Sequence, residues 1–66
     1  MYIAFIYASK NCTEQIQGLT ALDAEKNAVK FVKSNTNKKR TKIEVCYLEQ
    51  GKSRKLTREL IKTIEL

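Results

Sequence analysis

The sequence contains no histidine, proline or tryptophan, and only two glycines and two cysteines. Without histidine the chain lacks the commonest general base and the commonest biological metal ligand, and few hydrolytic schemes survive that loss. Gly18 and Gly51 cannot compose a G-x-x-x-x-G-K or G-x-G-x-x-G loop, so no phosphate-cradling turn is encoded. Cys12 and Cys46 lack C-x-x-C spacing and give neither a zinc signature nor a disulfide framework. The only charges near Cys12 in sequence are Lys10 and Glu14, which supply no activating base. The seven acids are scattered among lysines rather than paired for acid–base work. These absences predict a protein that is not an enzyme and has no cofactor, no metal and no small-molecule substrate.

Long apolar runs are missing as well. The longest, Tyr2 to Ala8, falls far short of the roughly 20 residues that span a bilayer as a helix. The N-terminus has neither the basic segment nor the small-residue cleavage site of a secretory leader, and free thiols suit a reducing compartment. The expectation is a cytoplasmic protein without membrane contact.

Sixty-six residues, 42% hydrophobic and 30% charged, suit a single domain over 1–66 with one core. A chain of this length buries only about 60% of the surface its unfolded form exposes. Tyr2 to Ala8 is aromatic and β-branched and ends in the polar cluster Ser9-Lys10-Asn11, which predicts a first strand. After a loop through Thr13, Glu14 to Leu19 reads as a second strand, with Ile16 facing away from Gln15 and Gln17 and a bulge at Gly18. Thr20 is placed to cap a helix running to about Ser34, with Asp23 in its first turn. Ala21, Ala24, Ala28, Phe31 and Val32 share one helical face, so three alanines let the axis come close to a sheet. Glu25 falls in that apolar arc and needs an edge or a base.

Asn35 to Arg40 has no apolar residue and reads as a turn. Ile43, Val45 and Tyr47 then alternate with Glu44, Cys46 and Leu48 as a third strand, and Gln50-Gly51-Lys52-Ser53 supplies hairpin chemistry. Residues 56–65 fit a strand or a helix by periodicity, and the preceding turn favours a strand. The expected fold is therefore α+β, in the order β-β-α-β-β, with one helix on one face of an antiparallel sheet. The first strand is apolar on both faces, which one helix cannot cover; either a homodimer or a docked partner covers the second face, or a central strand of a twisted sheet is simply more apolar. Tyr7 and Tyr47 share parity with packed residues, which leaves Tyr2 as the one free aromatic.

Charge is the remaining signal. Residues 1–25 carry one Lys and three acids, net −2, whereas residues 26–66 carry twelve bases and four acids, net +8. Lys30, Lys33, Lys38, Lys39, Arg40 and Lys42 place six bases and no acid within thirteen residues, and Lys52, Arg54, Lys55 and Arg58 add four across the second hairpin. With Lys26 these are the candidate binding residues. About six phosphate contacts would give log K a slope near −5 against log salt. The pattern predicts a small basic binding protein, DNA-binding or otherwise in contact with nucleic acid or a nucleic-acid-handling protein complex. A structural homodimer is the alternative.

The layout of Tyr2 to Ala8, Gln15 to Ala21, the alanine-striped helix Ala21 to Ser34, Ile43 to Glu49 and the Gly51 hairpin resembles a type I-F anti-CRISPR family of very small phage-encoded proteins. That resemblance implies one helix against a small antiparallel sheet. It also implies an inhibitor that docks by protein–protein contact on a guide-RNA surveillance complex, where target DNA would bind. The family presents adjacent bases on its helix, whereas Lys26, Lys30 and Lys33 are separated here.

Overall fold

Strand β1 (Tyr2–Ala8) is central to the sheet, and its apolar residues are set on two sides. In this computed structural model, residues 1–35, 39–50 and 56–66 are described, with the backbone alone of Gln50 and Leu56. The elements follow the expected order: β1, β2 (Asn11–Gly18), α1 (Ala21–Ser34), β3 (Lys42–Gln50) and β4 (Leu56–Glu65). The four strands form one antiparallel sheet, ordered β2-β1-β3-β4. Residues 56–65 are thus a strand, as the hairpin argument favoured. The Gly51 turn and the centre of the Asn35–Arg40 turn lie outside the described residues.

The second strand begins earlier than its alternation suggested. Ala8 already faces Asn11 across the two-residue turn Ser9-Lys10, with Ser9 held at φ 58° and its N–H donating to Thr41 Oγ1 at 3.2 Å. The polar stretch Asn11–Thr13 pairs as an edge, where side chains need no burial. The irregularity in β2 is at Thr13, because Tyr7 faces Cys12 while Ile6 faces Glu14. It is not at Gly18, whose role is close approach: a Cβ there would sit 2.2 Å from the backbone nitrogen of Ala24. The missing side chain lets the start of α1 lie directly against the end of β2.

Thr20 caps α1 by accepting the Asp23 N–H at 3.1 Å. The alanine face meets the sheet: Ala24 and Ala28 are fully buried against Ala4, Ile6, Ile43 and Val45, with Phe31, Val32 and Ile64 packed around them. Asn27 Nδ2 donates to the Gln17 carbonyl and ties the helix to the β2 side. On the other flank, Glu25 pairs with Lys62 of β4 at 2.9 Å, which gives this carboxylate the base it needs.

On the open face, Ile3, Phe5 and Cys46 form a second buried cluster flanked by Tyr7 and Leu48. Much of its cover comes from charged side chains. The Arg58 guanidinium carbon lies 4.0 Å from the Phe5 ring centroid, and Lys42 Nζ lies 4.9 Å from that of Tyr7. Ile3 and Phe5 are buried within the single chain. Tyr2 is not free either: it is half-buried, with its ring centroid 5.1 Å from that of Tyr47.

Candidate nucleic-acid interface

The helix positions one coherent set of bases. Lys26, Lys30 and Lys33 recur at i, i+4 and i+7 on the outer side of α1, spanning about 10 Å along its axis at 1.5 Å per residue. All three are exposed, and among the described residues none is ion-paired. A shallow groove of about 400 Å³ runs between the row Glu25, Val29, Lys33 and the row Lys26, Lys30, Ser34. Its only acid, Glu25, is engaged by Lys62, so the groove presents a net positive lining with Val29 as its apolar member. Leu22, 56% exposed, lies two turns before Val29 toward the helix start.

The other candidate bases are distributed differently. Lys39 is exposed, whereas Arg40 next to it is buried. The Arg40 guanidinium pairs with Glu14 of β2, donates to the Asn35 carbonyl at 3.0 Å and stacks 5.8 Å from the Phe31 centroid. It therefore joins the helix end, β2 and the start of β3, and it offers a ligand almost no surface. Lys38, Lys52, Arg54 and Lys55 lie outside the described residues.

Lys42 and Arg58 lie on the opposite face of the sheet from α1, and both are paired with Glu44. Arg58 Nη2 is 2.7 Å from Glu44 Oε1 and 3.1 Å from the Tyr7 hydroxyl, while its Nε donates to Cys46 Sγ at 3.4 Å. Lys42 Nζ is 3.4 Å from Glu44 Oε2. Hydrogen bonding to Tyr7 and Cys46 holds the Arg58 pKa above its ordinary value. Burial pushes the Glu44 carboxyl up, but hydrogen bonds from Tyr7 and Lys42 and the charges of Lys42 and Arg58 outweigh it and leave the pKa lowered. This network neutralises much of the open-face charge. Among the described residues the candidate bases thus divide into an unpaired helix stripe, a buried keystone and a cluster across the sheet in which Lys42 and Arg58 share the one carboxylate of Glu44.

The engagement of Glu44 was readable in part, because it alternates with Ile43 and Val45 and so had to project away from the helix. The Lys62–Glu25 pair was not, since β4 carries a bulge that moves Lys62 to the helix-bearing face. Among the described residues no group of three or more His, Cys, Asp or Glu could hold a metal ion, and no helix is long and apolar enough to cross a membrane. Comparisons with protein-family models, curated proteins and solved structures give no match to the chain.

Proposed function

We propose that this is a non-catalytic binding protein of the cytoplasm that lays the outer side of α1 against the phosphates of a nucleic acid. The observation that carries the reading is the contrast between bases. Arg40 and Lys62 each pair with a carboxylate and Lys42 and Arg58 share Glu44, whereas Lys26, Lys30 and Lys33 share one exposed stripe with none among the described residues. Such a stripe positions a protein on a phosphate backbone without reading bases.

The test is fluorescence anisotropy with labelled duplex and single-stranded oligonucleotides across a salt series. Three phosphate contacts on a duplex predict a log K against log salt slope of about −2.7 from the stripe alone. Replacing Lys26, Lys30 and Lys33 together by Ala removes that contribution. Absence of binding at low salt, or binding unchanged in the triple variant, overturns the reading.

A second reading is an inhibitor of the anti-CRISPR kind, which covers the nucleic-acid-binding surface of a protein complex by protein–protein contact. Leu22 and Val29 favour it, because apolar groups beside the lysines add nothing to phosphate binding. Capture of a defined protein complex that survives nuclease and high salt, and is lost on Leu22→Asp, distinguishes it from the first.

A further inference from the structure

In the order β2-β1-β3-β4, β4 is an outer strand of ten residues, and among the described residues nothing pairs with its far edge. Helix α1 packs over β1, β2 and β3 and so sits toward the opposite side of the sheet. The described side chains of β4 are exposed apart from the half-buried Ile64, and Leu60 and Ile61 remain 55% and 47% exposed at its middle. An outer strand of this kind is a template for a further strand.

The bulge in β4 determines which strand fits. Val45 faces Lys62 and Cys46 faces Leu60, which leaves Ile61 as the extra residue. Directly opposed residues of an antiparallel pair share a face. Thr57 and Glu59, opposite Glu49 and Tyr47, therefore lie on the helix-bearing face with Lys62 and Ile64. Arg58 and Leu60 lie on the open face with Thr63 and Glu65.

A strand paired with its own copy about a two-fold axis normal to the sheet opposes residues whose numbers have a constant sum. In a regular strand only even sums keep each face to itself. Across the single insertion at Ile61 the odd sums do so. The axis then passes between Leu60 and Ile61, and Glu59 of each copy meets Lys62 of the other. Arg58 meets Thr63, Thr57 meets Ile64, and Leu60 meets Ile61. No like charges are opposed, and two ion pairs flank an apolar centre. Lys62 already holds Glu25, and an ammonium has three donors with which to serve a second carboxylate.

We propose that β4 pairs antiparallel with the β4 of a second copy, in the register that sets Glu59 against Lys62. The two sheets become one, and because the axis is normal to it both helices lie on the same side. The two lysine stripes then face the same way. Bulges and edge charges also serve sheets as guards against pairing, and under that alternative the chain is a monomer.

Sedimentation equilibrium of the full chain, up to about 1 mM protein, separates the two. The expected mass is twice the 7.6 kDa of one chain. Glu59→Lys, which opposes two lysines at each symmetric position, raises the dimer dissociation constant by about tenfold or more. Combining it with Lys62→Glu reverses both partners and restores most of the affinity, with circular dichroism confirming that each variant is folded. A chain that stays monomeric throughout overturns the proposal. So does a dimer whose dissociation constant is unchanged by Glu59→Lys.

Discussion

The guanidinium of Arg58 stacks 4.0 Å from the ring centroid of Phe5, a residue only 8% exposed on the sheet face opposite α1. A charged side chain therefore takes part of the place that a second helix would occupy in a larger fold. Its planar cation meets the ring while its edges reach Glu44, Tyr7 and Cys46.

Removing that cover exposes Phe5 and leaves Glu44 with Lys42 and Tyr7. Arg58→Ala is expected to destabilise the fold by about 1–2 kcal/mol, the combined scale of a half-exposed cation–π contact and a solvent-screened ion pair. Arg58→Lys keeps the charge but loses the flat stacking surface, and recovers only part of the loss. Urea denaturation measures both.

Arg40 presents a harsher case, because it is buried and Glu14 is largely so. Arg40→Ala strands the Glu14 carboxylate and the Asn35 carbonyl and is expected to cost about 3 kcal/mol, the scale of breaking a buried ion pair from one side. Lys39→Ala, one residue earlier and exposed, is expected to fall within about 0.5 kcal/mol of wild type. A comparison of urea midpoints tests the pair.

The lowered pKa of Glu44 makes part of the stability acid-labile. A carboxylate whose folded value lies below its unfolded one binds fewer protons in the native state, so its contribution is fully present above the ordinary value of 4.5. That contribution is lost as pH falls through the lower, folded value. Stability measured by urea titration from about pH 7 to pH 3 is expected to decline more steeply in wild type than in Glu44→Gln.

Gly18→Ala tests the contact between β2 and α1. The added methyl would lie 2.2 Å from Ala24 nitrogen and 2.7 Å from its Cα, and backbone atoms cannot rotate away. The helix start must lift, at an expected cost of about 1–3 kcal/mol for overpacking. A domain of this size loses roughly 4–8 °C in Tm per kcal/mol, which calorimetry resolves.

The elements themselves were legible because local chemistry and burial agree along most of the chain. The cap at Thr20, the alanine stripe and the alternation from Ile43 to Tyr47 each specify one geometry. The start of β2 was not, because Asn11–Thr13 is an exposed edge whose pairing is fixed by the Ser9 turn rather than by hydrophobicity. In β4 the periodicity of residues 56–65 did not place the faces, because the bulge sends Leu60 to the open face and Ile64 to the core. At the candidate site, sequence showed where positive charge accumulates but not its pairing. Glu14 reaches Arg40, and Glu44 reaches Arg58, only once the strands assemble in the order β2-β1-β3-β4, whereas Glu44 and Lys42 are two residues apart on one face of β3.

The strand order has a kinetic corollary. β1 with β2 and β3 with β4 are neighbours along the chain, whereas β1 and β3 meet across a long excursion that joins Ile6 to Ile43. One loop closure thus carries most of the non-local entropy of assembly, and the rate-limiting barrier is expected where the two hairpins dock. Conservative truncations along that seam, such as Val45→Ala, should slow refolding, while truncations on the flanks of the sheet, such as Ile64→Val, should chiefly hasten unfolding.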